Sequence, residues 1–429
     1  MVSGRDSSQL FDSLLFPGIF QTFRMSIQPT KLIITACALG VICLAGYVMD
    51  RVSKTVVARG DGVTELQIYL EDPGKLQQFI DENKDFPGKG VFSTLWKSAA
   101  EKFNEAVKSV VLKHDIEGVM DNITAYFTDV GWALRRHPIY CIIFFSIKLA
   151  VISIAGGAIC RIAALQFARG EKPGLTEAVR FSTKRFTSFF TAPLAPIGII
   201  AFIGVFIFLL GLLGNIPRAG EIIVGIGMPL ALVAGTLIAV IVIGAAAGFN
   251  LMFPAVAYDG SDCFDAISRS FSYVYARPWR MIFYSAIAAV YGSVCYLFVR
   301  VFAFLTLWLT RWFVQIGLWA DSEGSELNKL TAIWPRPEFM KLLGYSDPIP
   351  ANSTESVAAF LVHLFVLVVV GLVVSFIISF YFSANTIIYS LMRSKVDNTA
   401  REDIYMNFDE ADAESKTIER EPQQEQPSN

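Results

Sequence analysis

Histidine is nearly absent from this chain: His114, His137 and His363 are all that its 429 residues contain. None stands near a second catalytic group in sequence, and HExxH, GxSxG and phosphate-loop patterns are missing. The chain is therefore expected not to be an enzyme and to carry no cofactor. His114, Asp115 and Glu117 are ligand-type residues, but neighbours on a helix point in different directions, so they read as a solvated helix junction rather than a metal site. Cysteine is sparse too. Cys37, Cys43, Cys141, Cys160 and Cys295 lie in apolar runs, Cys263 lies in a loop, and no CxxC pair occurs. That excludes a disulfide scaffold and favours ordinary small-apolar packing. Charge is short in both signs. Charged residues are 17% of the chain and the net charge is −2, which leaves no basic footprint for nucleic acid.

What fills the gap is apolar sequence in long runs. A helix needs about 20 residues to cross a hydrocarbon core. Runs of that order lie at about Leu32–Met49, Ile139–Leu165, Ile197–Leu213, Ile222–Ala257, Met281–Val299 and Val357–Leu391. The fold class expected is an all-α polytopic membrane protein with about six transmembrane helices. The first run begins near Lys31, late for a signal peptide, and reads as an uncleaved anchor.

The order expected along the chain is a cytoplasmic N-terminal segment (1–31), a first anchor (32–49) and a helical extracytoplasmic region (50–137). A repeated transmembrane core follows (138–300), then an interfacial helix and extracytoplasmic loop (301–355). The last transmembrane helix (356–392) leads into a disordered acidic tail (393–429). In 50–137, Phe92, Leu95, Trp96, Ala99, Phe103, Ala106, Val107, Val110 and Val111 recur at helical spacing. The pattern resumes at Ile116, Val119, Met120, Ile123, Phe127 and Val130. These stripes either pack on each other or lie on the membrane. Trp308, Trp312 and Trp319 share a helical face, as an interfacial belt would. A seventh span there is the alternative, opposed by Arg311 and Gln315.

Within the core the chain repeats itself. An apolar helix ends in small residues, a polar turn follows, and an amphipathic helix carries acid-Ala-aliphatic-x-x-Ser. The first copy is Glu177-Ala178-Val179-Arg180-Phe181-Ser182, the second Asp265-Ala266-Ile267-Ser268-Arg269-Ser270. The apolar face expected of the first helix, Leu175 to Phe190, is Leu175, Val179, Ser182, Phe186 and Phe189. That of the second is Phe264, Ile267, Phe271 and Val274. Glu177 and Asp265 fall in the first turn, where carboxylates meet exposed N–H groups. Ser182 and Ser270 fall where a neighbouring helix can approach. The functional alternative is an anionic-lipid headgroup site built by Arg180, Lys184, Arg269 and Arg277.

Polar residues inside the runs are the other candidates. Lys148 either faces protein or snorkels to the near surface. Arg161 reads as an interfacial anchor. Asn250, beside Gly244-Ala245-Ala246-Ala247-Gly248, is placed to hydrogen-bond across helices. Ser375, Ser379, Ser383, Thr386 and Ser390 form one stripe, read as a helix-packing face or as a polar path. The short linkers 166–190 and 258–280 are basic, which puts the amphipathic helices and both termini in the cytoplasm by positive-inside counting.

Two sets of residues carry a resemblance. The run Gly156 to Ala164, with Glu177-Ala178-Val179-Arg180-Phe181 and Ala192-Pro193-Leu194-Ala195-Pro196, resembles a family of uncharacterised bacterial multi-pass membrane proteins. Tyr258-Asp259-Gly260 with Asp265 to Ser270 looks like the broader group that includes the membrane domain of glycerophosphoryl diester phosphodiesterases. The likeness covers roughly residues 138–300 and implies a helical membrane fold. It does not imply phosphodiesterase activity, because the separate catalytic barrel does not fit in this chain. The expected function is a non-enzymatic protein of the bacterial inner membrane whose partners are membrane lipids and other membrane proteins. A transporter or channel built on the repeats is the alternative.

Overall fold

The computed structural model describes residues 16–59, 63–83, 88–109, 115–322, 328–344 and 348–406. His114 lies outside them, as does the sequence beyond Met406. The described residues are mainly helical, with isolated β-bridges such as Val56 to Lys89 and no strand among them. In chain order the helices are α1 (Thr22–Ser26), α2 (Pro29–Val52), α3 (Glu65–Glu71), α4 (Leu76–Glu82), α5 (Val91–Lys108), α6 (Ile116–Arg136), α7 (Pro138–Arg169) and α8 (Leu175–Lys184). Then come α9 (Phe186–Thr191), α10 (Ala195–Leu213), α11 (Gly220–Asp259), α12 (Cys263–Ala276), α13 (Pro278–Gly317), α14 (Lys329–Ile333) and α15 (Ser353–Val396).

Six of these, α2, α7, α10, α11, α13 and α15, are long and apolar enough to cross a membrane. Their exposed residues are large and apolar, for example Phe202 and Phe206 on α10, Ile226 and Leu230 on α11, and Phe360 and Phe365 on α15. Such surface is costly in water and suits lipid. Helices α11 and α13 have 40 residues and α15 has 44. At 1.5 Å per residue each is about 60 Å long or more, twice the hydrocarbon thickness.

Three local expectations need correction. The segment from Val301 is not a separate interfacial helix: α13 runs unbroken to Gly317. No Pro or Gly interrupts it between Val299 and Ile316, and Arg300, read as a boundary, is buried. Its guanidinium donates to Phe339 O at 3.0 Å, Met340 O at 2.8 Å and Asn104 Oδ1 at 2.9 Å. The first amphipathic helix is two helices, α8 and α9, broken at Arg185. The buried faces match those expected only in part: Ser182, Phe189, Ile267 and Val274 are buried as expected. Ala178, Phe181 and Ser182 are buried on α8, and Ala266, Ile267, Ser270, Tyr273 and Val274 on α12, while Phe264 and Leu175 are exposed. Close packing buries the alanine and serine of each motif copy beside bulky residues such as Phe181 and Tyr273.

The chain divides into two compact units. The first draws on Met1–Ile34, Ile152–Val294 and Phe376–Asn429, and so holds the whole repeat. The second is formed by Thr35–Val151 and Cys295–Ser375. Its helices α5 and α6 pack on each other, with Lys102 and Ser98 of α5 both reaching Asp129 of α6. Val56, Leu66, Val91, Trp132, Tyr140 and Phe144 form one of its core clusters, and Leu307, Leu330, Trp334 and Val366 belong to another. Asp50, at the end of α2, starts α5: its carboxylate accepts from Phe92 N at 3.0 Å, Ser93 N at 2.8 Å and the Tyr140 hydroxyl at 2.7 Å. An acid beyond its own helix thus serves the free N–H groups of another. Gly90 is needed for that approach, since a Cβ there would overlap the Asp50 carboxylate.

Candidate functional site

In both copies of the repeat the motif serine packs on a glycine of the preceding long helix, but Ser182 bonds across to that helix whereas Ser270 bonds within its own, to Ala266 O at 2.7 Å. In the first copy, Ser182 of α8 lies on Gly157 of α7 and donates to Ser153 O at 3.0 Å. A Cβ on Gly157 would meet the Ser182 hydroxyl and, at 2.8 Å, the Phe189 ring. In the second, Ser270 of α12 lies on Gly248 of α11, and Phe271 of α12 lies on Gly244. Ala178 and Ala266 are fully buried beside these serines. Glu177 and Asp265 each occupy the third position of their helix. The cap itself comes from elsewhere in the second copy: Asp262 Oδ1 accepts from Asp265 N at 2.8 Å. The Asp265 carboxylate instead takes Arg269 Nε at 3.2 Å.

Asp259, the last residue of α11, is the centre of a polar cluster. Its side chain is 7% exposed. It pairs with Arg393 Nε at 3.0 Å and Arg269 Nη1 at 3.4 Å, and accepts from the Tyr389 hydroxyl. Burial works to lower the Arg269 guanidinium, but the Asp259 charge, with Asp265, outweighs it and holds the group above its ordinary value. The chain can turn away at once because Gly260 is left-handed (φ 61°), a conformation open to glycine at little cost. That turn brings Gly260 against the Tyr405 ring.

Residues 397–406 close this cluster. Tyr405 N donates to Tyr258 O at 3.0 Å, Arg393 Nη1 donates to Asp403 O at 2.7 Å, and Tyr273 OH donates to Asp397 Oδ2 at 2.5 Å. Burial, and then the Asp397 carboxylate, push the Tyr273 phenol above its ordinary range. The Arg185 guanidinium lies 5.0 Å over the Tyr405 ring. The tail expected to be disordered from residue 393 thus starts with helix to Val396 and a strap to Met406; the remainder of that expectation lies outside the described residues. Ending the chain after Val396 should sharply reduce folded yield in detergent, whereas ending it after Met406 keeps every contact named here and should not. Equal yields, measured by size-exclusion chromatography, would remove the strap's role.

The intramembrane polar residues also find partners within the first unit. The Ser379 hydroxyl donates to Ser26 O at 2.9 Å, and Ser390 Oγ is 3.1 Å from the Tyr258 hydroxyl. The Tyr381 hydroxyl donates to Asn250 Oδ1. Lys31 is fully buried in the first turn of α2, and its ammonium donates to Gln166 Oε1 and Ser383 Oγ, both at 3.3 Å. Arg161, expected as an interfacial anchor, is 1% exposed; it donates to Ala257 O at 3.1 Å and lies 4.5 Å over the Phe181 ring. Lys148, in the second unit, is half-buried, 5.9 Å from the Phe145 ring centroid. Arg180, Lys184 and Arg277 are exposed.

No family model matches the sequence, and neither a curated protein nor a solved structure matches it. The functional reading therefore rests on the chain's own geometry.

Sequence reasoning passed over Lys31, Asp259 and Asp50 as site residues. Apart from Arg269, ten positions from Asp259, their partners named above lie 42 to 352 positions away, so no local pattern marks them. A charge at each edge of an apolar run was the available signal, and it reads equally well as an interfacial anchor. The same distance hides a third grouping, Thr55, His137 and Glu65, described below.

Proposed function

We propose that this integral membrane protein organises lipid and partner proteins in a bacterial inner membrane, with the amphipathic helices and both termini cytoplasmic. One observation carries the reading: apart from Ser375, buried without a hydrogen-bond partner among the described residues, and Thr386, which bonds within α15 to Phe382 O, the polar stripe of α15 and Asn250 of α11 are hydrogen-bonded between helices. Ser379, Ser383, Ser390 and Asn250 are all engaged in this way. The core then works as a rigid platform. Arg180 and Lys184 on α8 and Arg277 after α12 are its exposed cations, and the basic linkers support their facing the anionic cytoplasmic leaflet. Arg269 leaves the headgroup set because Asp259 and Asp265 hold it.

A transporter or channel is the second reading, and the buried Lys31 favours it, since an ammonium within a span is expensive to keep. Both are tested by purifying the protein in mild detergent and weighing what stays bound. Each cation near an anionic surface is worth about 1 kcal/mol. Changing Arg180, Lys184 and Arg277 together to glutamine should therefore cut anionic-lipid retention about tenfold or more, with little change in thermal stability. Undiminished retention rejects the headgroup contacts, and a tightly held small solute favours transport.

A further inference from the structure

Three side chains far apart in sequence meet in the second unit. Thr55 lies three residues beyond α2, His137 is the single residue between α6 and α7, and Glu65 opens α3. Thr55 Oγ1 is 3.2 Å from His137 Nδ1, and His137 Nε2 is 3.2 Å from Glu65 Oε1. The other Glu65 oxygen accepts from Val57 N at 3.0 Å. Glu65 is 2% exposed and Thr55 is exposed.

The chemistry of this chain of contacts has a direction. An ionised carboxylate only accepts, so in the neutral imidazole the proton sits on Nε2 and the Nδ1 lone pair faces the Thr55 hydroxyl. That is the arrangement of a nucleophile, a base and the carboxylate that fixes the base's tautomer. The ring is also held from the side. Trp132 meets His137 edge-on, with centroids 5.3 Å apart and planes at 74°. Glu65 is held by its place at the start of α3, where Thr64 and Gln67 form a capping box.

The location points to the substrate. The Asp50 to Tyr140 hydrogen bond ties the end of α2 to the start of α7. Thr55 and His137 leave those two spans side by side, just past the apolar runs. The ester carbonyls of a glycerolipid sit at this level, between acyl chains and headgroups. Val52 and Ile139, the neighbouring apolar residues, are 85% and 75% exposed. Lys54 and Arg136, both exposed, flank the pair in sequence and suit a phosphate.

We propose that Thr55, His137 and Glu65 form an acyl-transfer site acting on lipid esters at the membrane surface. Thr55 Oγ1 attacks the ester carbonyl carbon as its proton passes to His137 Nδ1. The carbon–alkoxy bond breaks, and the same proton leaves with the alkoxide as an alcohol. This gives an acyl ester on Thr55. Water then attacks the acyl carbon and its proton passes to Nδ1. The bond to Thr55 breaks, the proton returns to Thr55, and a fatty acid leaves. Glu65 touches no reacting atom; it is a positioning residue. The inference stands on residues different from those of the lipid-retention reading, so either can fail alone.

The test uses the full chain in detergent and in nanodiscs, with p-nitrophenyl butyrate and with phosphatidylglycerol vesicles as substrates. Intact-protein and peptide mass spectrometry look for an acyl group on Thr55. The wild type should turn over both substrates and show the adduct. Thr55→Ala and His137→Gln should each lower turnover about 10²-fold or more. Thr55→Ser should keep activity, and Glu65→Gln should shift the lower limb of the pH profile as well as the rate. Thr55→Ala should hold anionic lipid as well as the wild type does while losing ester turnover, which separates this site from headgroup retention. Because Thr55 is exposed, Thr55→Ala should fold even where Glu65→Gln does not, and a melting curve checks this. Absence of turnover in the wild type, or turnover undiminished in Thr55→Ala, overturns the proposal. Turnover of the soluble ester alone overturns the lipid assignment.

Discussion

Replacing Asp259 with alanine is expected to destabilise the protein by about 3 kcal/mol, because it leaves the buried Arg393 with only the exposed Asp403 carboxylate at 3.6 Å as an ion-pair partner. Arg393 is the cation that matters. Its side chain is 10% exposed, and its Nε lies 3.0 Å from Asp259 Oδ1. The Tyr389 hydroxyl and Arg269 lose the same acceptor. Asp265→Ala removes a carboxylate from Arg269 as well, but Asp265 is 49% exposed. An exposed pair of that kind contributes about 1 kcal/mol or less. Unfolding of the two variants in one detergent, followed by intrinsic fluorescence, should therefore separate them clearly. Similar losses would mean that the cluster is wetter than its burial indicates and that Asp259 has no central place in it.

The second large effect belongs to Gly157. Leucine there should block correct packing of α8 on α7, because even the first added carbon collides with the Ser182 hydroxyl and the Phe189 ring. Neither neighbour can give way easily: Ser182 and Phe189 are both fully buried. Overpacking of this kind costs about 1–3 kcal/mol for one or two methylenes and more for a whole side chain. Gly235, in the middle of α11, has nothing within 4 Å of an added Cβ, and Gly235→Leu should be accepted and slightly raise helix propensity. The comparison is read as folded yield by fluorescence-detected gel filtration. If both variants express alike, the small residues of the repeat carry no packing role.

These two residues show how far the amino-acid sequence reaches. Gly157 belongs to a small-residue run that is visible by eye, and the motif serine two helices' turns into α8 announces that something must approach. Which residue meets which was hidden. Of the expected apolar faces, Ser182, Phe189, Ile267 and Val274 are buried, while the bulky Leu175 and Phe264 are exposed. Hydrophobic periodicity assumes that an apolar residue marks the protein side of a helix. In a membrane, lipid is as apolar as a core, so the protein side is marked by small and hydroxyl-bearing residues instead.

By itself the sequence determined the class of the protein and the six membrane-crossing helices, because hydrocarbon admits only chain whose backbone groups are satisfied internally, and apolar length makes that legible. It also determined the repeat and the helical character of 91–108 and 116–136, where periodicity is unbroken. Tertiary structure alone decided the length of α13, whose Arg300 ceases to be a boundary once carbonyls at Phe339 and Met340 satisfy it. It alone decided the burial of Lys31 and Arg161, the strap of residues 397–406 over Asp259, and the meeting of Thr55, His137 and Glu65. In every one of these cases the charge or hydrogen bond is completed by a residue remote in the chain, and the free energy of a polar group depends on that partner rather than on its neighbours in sequence.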